Sequence, residues 1–485
     1  MTLLDLFDGA RRDRGSALAV NDVTYDALHT GALRVAGEFA RRGLARGDRM
    51  ALYTENRIGF VYAYLAALRL GVIVVPVNVL YRAAELEHVL GNARVKLAVT
   101  SVQTHPHMSG LSQTYDEIDI ADVERWALDS ALAADTPSDP PGADDAATII
   151  YTSGTTGRSK GAVLTHGNYA AITSQLVTAW RWGIGDTLAI ALPLFHVHGL
   201  GAALHGTLAV GSRIIIHERF DAKTMLETLR APDVTMFFGV PTMYVRMLDA
   251  LESGVAAPTL RLAVSGSAAL DANLHRTLRE KYAIDILERY GATEFGFALG
   301  NRYGGPRIAG SVGTPFPGVR ARIDTPPDGV GELLVSGPNV FVGYWDLPQA
   351  TADAFVVDED GTRWYRSGDL AAYDGEQRVY RIVGRLKELI ISGGFNIYPR
   401  EIENEIDLFP GIVASAVIGI ADAARGELPI AYIEISEPVD TDALLARLRE
   451  RLASFKVPKS VHVIDALPRN ALGKIEKPKL RALLA

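Results

Sequence analysis

The chain contains no cysteine. Disulfides, thiolate metal sites and a cysteine nucleophile are thereby excluded, and the absence fits a reducing compartment. Long apolar runs are missing too. The most hydrophobic stretch, Ile58 to Tyr81, is broken by Arg69, Gly71 and Pro76, so it reads as a helix followed by a buried strand rather than a membrane span. Basic charge is in deficit: 49 Lys plus Arg against 57 Asp plus Glu, a net charge of −8. No basic stripe suited to nucleic acid stands out, although a local basic mouth for a phosphorylated ligand remains open. The opening residues Met1-Thr-Leu-Leu-Asp5-Leu-Phe-Asp8 carry acids where a secretory leader carries bases. The expectation is a cytoplasmic protein with neither a nucleic-acid nor a membrane partner. Internal repeats and low-complexity tracts are also absent.

What is present is a globular composition, 48% hydrophobic and 22% charged over 485 residues. That length exceeds one ordinary core, so two or more domains are expected. The first hundred residues alternate helical patterns (Ala32 to Arg42, Tyr62 to Leu70) with strand patterns (Arg49 to Thr54, Val72 to Val77, Val95 to Thr100), the mark of parallel sheets covered by helices. His105 to Asp145 is polar and holds Pro137, Pro140 and Pro141, and it reads as a surface connection. A second alternating block spans about Ala147 to Leu299. Short strands with Gly and Pro turns follow from Val312, suggesting a small β-rich subdomain. After Arg385 the pattern changes again, to a helix (Pro399 to Leu408), strands (Ala414 to Gly419, Ile430 to Ile435) and a helix (Asp442 to Ala453). About one hundred residues suits a separate α+β domain. The fold class is therefore α/β: a large N-terminal domain of stacked αβ sheets with a small β-rich subdomain, and a small α+β C-terminal domain.

The most informative segment is Thr152-Ser153-Gly154-Thr155-Thr156-Gly157-Arg158-Ser159-Lys160-Gly161, which follows a strand-like run from Ala146. Glycines let backbone N–H groups approach a phosphate, hydroxyls donate further bonds, and Lys160 neutralises charge. It is not a Walker loop: Gly154 and Gly157 are three apart, and Lys160 is followed by glycine rather than Ser or Thr.

This segment resembles the signature of the AMP-forming adenylating superfamily, which includes acyl-CoA synthetases, peptide-synthetase adenylation domains and luciferases. Five further segments resemble its motifs in order: Leu192-Pro-Leu-Phe-His196-Val197-His198-Gly, Glu288-Arg289-Tyr290-Gly291-Ala-Thr293-Glu294, Tyr365-Arg-Ser-Gly-Asp369, Gly384-Arg385-Leu-Lys387 through Gly394, and Pro468-Arg-Asn-Ala-Leu-Gly-Lys474. The resemblance implies ATP-dependent activation of a carboxylic acid, with acyl-AMP formed first and the thiol of coenzyme A then giving acyl-CoA. Such chemistry needs positioning and charge stabilisation more than a protein nucleophile.

The resemblance also implies the roles. Thr152, Ser153, Gly154, Thr155, Thr156 and Lys160 would cradle the leaving pyrophosphate. Thr293 would bond the α-phosphate, and Glu294 with Thr155 would hold Mg²⁺, a hard ion suited to oxygen ligands. Ser265, Gly266, Ser267, Ala268, Glu288, Arg289 and Tyr290 would line the nucleotide. Asp369 would accept from the ribose hydroxyls, with Arg385 beside it. Lys474 would meet the substrate carboxylate and α-phosphate, and His196 would gate the acyl pocket. The pocket itself would use His196, Val197, His198, Arg246, Ser267, Gly291, Phe295 and Phe297. Lys387 would be the hinge, giving domains 1–384 and 388–485 about residues 385–387, the latter mobile. Ser392, Gly393 and Gly394 would leave room for the pantetheine arm.

For the acid, the texture is similar to the malonyl-CoA and methylmalonyl-CoA synthetase branch, in Phe238-Gly-Val-Pro-Thr-Met-Tyr-Val-Arg246 and Phe395-Asn-Ile-Tyr-Pro-Arg-Glu-Ile-Glu403 among other segments. There the arginine matching Arg246 would bind the second carboxylate. Phe295 and Phe297 depart from that branch, where small or polar residues and a methionine follow the glutamate. Two aromatics would shrink or dry the pocket, which favours a short acid. Malonate or methylmalonate is the first choice. A short mono- or 2-hydroxy-carboxylate, or an enzyme that loads a separate carrier protein, is the alternative.

Overall fold

The computed structural model describes residues 1–152, 158–324, 329–422, 425–470 and 473–484. Internal contacts divide it into two units: Met1–Ala321 with Val335–Tyr365, and Arg322–Leu334 with Arg366–Ala485.

The first unit holds two large sheets. The seven-stranded one runs in the spatial order Gly343–Tyr344, Lys160–Thr165, Ala146–Thr152, Ile73–Pro76, Arg49–Tyr53, Leu97–Thr100, Asp116–Asp119. Its last five strands are parallel, and the first two pair antiparallel. The nine-stranded sheet runs Thr314–Pro315, Leu299–Gly300, Ile286–Tyr290, Leu262–Ser265, Met236–Gly239, Thr187–Ile190, Arg213–Ile216, Leu18–Val20, Val23–Thr24. Its central strands are parallel.

Strands such as Ile73–Pro76, Thr187–Ile190 and Met236–Gly239 are buried at every position. That is the continuous apolar pattern of parallel strands covered on both faces. Ile58–Arg69 is apolar around its circumference and correspondingly buried from Gly59 to Arg69. Helix His166–Ala179 starts where Thr165 and Asn168 cap each other's backbone N–H.

One reading of the sequence is corrected. The polar stretch 105–145 contains the strand Asp116–Asp119 and the helix Ile120–Leu128. The strand lies at a sheet edge with only Ile118 buried, so its apolar signal is weak. The helix is capped by Asp119, which accepts from the Ala121 N–H.

In the second unit, Gly426–Ile435 is flanked by Ile412–Asp422 and Ile390–Ser392, with Phe395–Ile397 beyond and Val461–Val463 alongside. Alternation along Ile412–Asp422 sends Val417 to a core shared with Ile402, Ile406 and Leu444, and sends Ala416 and Ile418 to one shared with Leu467 and Leu480. Among the described residues no helix is long and apolar enough to cross a membrane.

Candidate active site

In the nine-stranded sheet, Ile286–Tyr290, Leu262–Ser265, Met236–Gly239 and Thr187–Ile190 are adjacent and parallel. Strand order reverses at Thr187–Ile190. The next strand in the chain, Arg213–Ile216, lies on one side, and the later strands extend on the other. A crevice outside the carboxyl ends of parallel strands at such a point is where ligands bind in this architecture. The segments leaving those ends carry most of the expected residues: His196, Val197 and His198 after Ile190, Gly266, Ser267 and Ala268 after Ser265, and Gly291 to Phe297 after Tyr290.

At the centre lies Arg289, only 5% exposed. Its guanidinium carbon sits 4.5 Å over the Phe297 ring. Its Nε and Nη2 have no hydrogen-bond partner among the described residues, and neither do the Ser265 and Ser267 hydroxyls or both ring nitrogens of His198. His198 stacks on Phe238 at 6.1 Å and meets Phe297 edge-on at 6.2 Å. Burial pulls Arg289 down to about 9. Burial, and then the nearby Arg289 charge, drive His196 to about 4 and His198 well below the usual imidazole range. This buried cluster therefore holds neutral imidazoles beside a cation with two unpartnered N–H groups. Native proteins rarely leave buried polar groups unsatisfied without a reason, and an uncompensated buried charge costs several kcal/mol.

Gly266 is explained by this packing. A Cβ there would lie 2.4 Å from the Arg289 Cζ. Ser267 follows in the left-handed region at φ 70°, a strained conformation for a residue with a Cβ. Gly266→Ala is expected to displace the guanidinium while leaving the fold unchanged by circular dichroism.

Ala146–Thr152 and Lys160–Thr165 form a hairpin whose last pair is Thr152 with Lys160. Ser153, Gly154, Thr155 and Thr156 lie outside the described residues. The base is pinned: the Tyr151 hydroxyl donates to Asn92 at 2.6 Å, and His88 Nε2 meets the Ser159 carbonyl at 2.7 Å. Thr293 and Glu294 are buried. The Tyr344 hydroxyl donates to Glu294 Oε1 at 3.0 Å, and Lys160 Nζ stands 4.6 Å from the Tyr344 ring centroid. Tyr290 packs on Phe295 at 5.6 Å. Glu288 accepts from the Gly310 N–H at 3.0 Å and lies 3.7 Å from His275.

Arg246 stands apart from this cluster. On helix Pro241–Glu252 the buried residues are Tyr244, Met247, Ala250 and Leu251. Arg246 is exposed, with its guanidinium 5.1 Å from the Phe220 ring.

The second unit carries its own cluster. Asp369 and Arg385 are paired across two strands, with Nε–Oδ1 at 3.1 Å. Lys474 is drawn down to about 8 by burial and by Arg385, while Asp369 and Glu388 favour its charge. Lys477 Nζ bridges Glu403 at 2.7 Å and Glu388 at 3.0 Å. Lys387 is exposed in the single turn Leu386–Glu388. Gly393 and Gly394, at φ 57° and 84°, turn the hairpin joining Ile390–Ser392 to Phe395–Ile397, as a two-residue turn with two positive φ values requires. Both are exposed, with open space where a Cβ would stand, and Ser392 beside them is buried.

Sequence reasoning assigned Arg289 to the nucleotide and missed Tyr344 and Lys477. Arg289 did carry a signal, being a charged residue beside Glu288 in a strand buried from Ile286 to Arg289.

The AMP-binding enzyme family matches residues 9–345, and the AMP-binding enzyme C-terminal domain matches residues 401–474. The chain is 36% identical to a feruloyl-CoA synthase of an Amycolatopsis species, over 97% of this chain and 95% of that one. It is 34% identical to the mitochondrial malonate–CoA ligase of Mus musculus, over 94% and 86%. The crystal structure of ATP-bound MatB from Rhodopseudomonas palustris superposes with a TM-score of 0.91 at 36% identity, covering 100% of this chain and 99% of that one.

Proposed function

The chain belongs to the AMP-binding enzyme family and is an AMP-forming acid–CoA ligase; from that premise we propose that its acid is small and carries a second carboxylate, malonate or methylmalonate first, received by Arg289. The observation that carries this reading is the buried Arg289 guanidinium with two unpartnered N–H groups. A carboxylate there would accept a charge-assisted, two-pronged pair and relieve the cost of burying the cation. Ser265, Ser267 and His198 offer further polar atoms around it. The exposed Arg246 is the less suitable clamp.

In the first half-reaction one oxygen of the reacting carboxylate attacks the α-phosphorus of ATP, and pyrophosphate leaves. In the second, the CoA thiol loses its proton and attacks the acyl carbon, and AMP leaves. Lys160 neutralises the leaving pyrophosphate, Thr293 bonds the α-phosphate, and Asp369 accepts from ribose hydroxyls. Lys474 offsets charge during adenylation. Lys387 is the proposed pivot between the half-reactions, with residues 388–485 moving relative to 1–384. The turn at Gly393 and Gly394, with Ser392, is the proposed passage for pantetheine.

Glu294 suits Mg²⁺. It is a buried hard-oxygen donor with one carboxylate oxygen oriented by Tyr344. Among the described residues no group of three or more His, Cys, Asp or Glu could form a protein cage. The remaining ligands would be phosphate and water oxygens, the usual arrangement for this ion. Bound there, it would offset negative charge on the phosphates.

A second reading is an aromatic acid. Phe295 and Phe297 are fully buried against Tyr290 and Arg289 respectively, and a feruloyl-CoA synthase is among the similar chains. The test is AMP release with and without CoA across malonate, methylmalonate, propionate, butyrate, 2-hydroxyisobutyrate and ferulate. The dicarboxylates should lead, with AMP release dependent on CoA. Pyrophosphate exchange without CoA turnover would instead indicate a carrier protein as acceptor.

A further inference from the structure

We propose that Tyr344 is a positioning residue that sets the Glu294 carboxylate and the Lys160 ammonium at a fixed separation, so that metal and pyrophosphate are held in one geometry; this rests on Glu294 holding Mg²⁺. The reasoning starts from how the segment 341–345 is tied down. Gly343–Tyr344 pairs antiparallel with the strand leaving the phosphate loop, Tyr344 opposite Ala162, and the Trp345 N–H donates to the Gly161 carbonyl at 2.8 Å. At its other end the Phe341 N–H donates to the Glu294 carbonyl at 2.7 Å. One short segment is thus bonded both to the exit of the phosphate loop and to the backbone of Glu294.

Tyr344 uses that placement on two sides. Its hydroxyl donates to Glu294 Oε1 at 3.0 Å, which fixes the orientation of that carboxylate. Its ring lies 4.6 Å from Lys160 Nζ, where the negative π face attracts an ammonium. The Tyr365 hydroxyl is 3.4 Å from that of Tyr344, and Phe341 packs edge-on against the Tyr344 ring at 4.9 Å. Two groups of opposite charge, on separate elements, therefore take their positions from one side chain.

The two contacts separate by substitution. Tyr344→Phe removes the hydroxyl and keeps the ring; Tyr344→Leu removes both. Calorimetric titration with MgATP, and with ATP in EDTA, reads metal-linked and metal-independent binding. Tyr344→Phe is expected to weaken MgATP binding roughly tenfold and ATP-in-EDTA binding less than about twofold, with melting temperature held. Tyr344→Leu should weaken both. Equal weakening of both ligands by Tyr344→Phe, or no change in either, would overturn the assignment. Glu294→Gln is the control for the underlying reading. If it leaves the difference between MgATP and ATP intact, Glu294 does not hold the metal and both ideas fall. If it removes that difference while Tyr344→Phe does not alter it, only the role of Tyr344 falls.

Discussion

Lys474→Ala is expected to slow acyl-adenylate formation by about 10²–10³-fold, the usual cost of removing one preorganised charge-stabilising group. Thioester formation from supplied acyl-adenylate should stay within about twofold. The physical basis is that adenylation brings a carboxylate onto a phosphate, so negative charge gathers where an ammonium stabilises it. The Lys474 backbone is held in place by Asn470, accepting from the Asn470 N–H at its carbonyl and donating from its own N–H to the Asn470 side chain. Its acidity adds a second, sharper expectation. Burial and then Arg385 lower its pKa to about 8, against the opposing pull of Asp369 and Glu388, with Lys477 lowering it further. The ammonium is present below pH 8 and is lost as pH rises through that value, so adenylation should fall on the alkaline side. Lys474→Arg, which stays charged, should lose that alkaline limb even if its rate is low. Half-reaction assays by pyrophosphate exchange and by CoA-dependent AMP release check both. Equal loss in the two half-reactions would exclude the role.

The second large effect is at Arg289. Arg289→Met is expected to weaken malonate by about 2–5 kcal/mol, roughly 30-fold to several-thousand-fold in KM. Propionate should be nearly unaffected, because it has no second carboxylate to lose. Stability should hold or rise, since an unsatisfied buried guanidinium is exchanged for an apolar chain of similar length. That combination of worse malonate use, unchanged propionate use and a melting temperature no lower than wild type separates a recognition role from a folding defect. Arg246→Ala should change neither acid appreciably, its side chain being exposed over Phe220.

The contrast between those two arginines shows what was legible in the sequence. The buried parallel strands announced themselves as apolar runs. The strand Ala146–Thr152 was marked by its apolar run, and Asp369 and Arg385, which pair across two strands, by their motifs. Arg246 was placed by its motif alone. The helical period around it, with Tyr244, Met247 and Leu251 inward, turns Arg246 outward. Arg289 was read as a nucleotide contact from the motif Glu288-Arg289-Tyr290 to which it belongs. Its burial against Gly266 and Phe297 depends on which strands neighbour Ile286–Tyr290, and local pattern does not encode that. Tyr344 was invisible for a similar reason. It sits on a two-residue strand, too short to leave a period, and its meeting with Glu294 and Lys160 arises only from pairing across the sheet. The helix Ile120–Leu128 was hidden within a polar stretch whose strand lies at a sheet edge.

The most direct measurement is a competition in one vessel: equimolar malonate and ferulate with limiting CoA, saturating ATP and Mg²⁺, and the thioesters separated by chromatography. Recognition of a second carboxylate by Arg289 requires malonyl-CoA to exceed feruloyl-CoA by at least about tenfold, with one AMP per thioester, and requires Arg289→Met to erase that preference. A product that is mainly feruloyl-CoA, or a malonate preference that survives Arg289→Met, would contradict it.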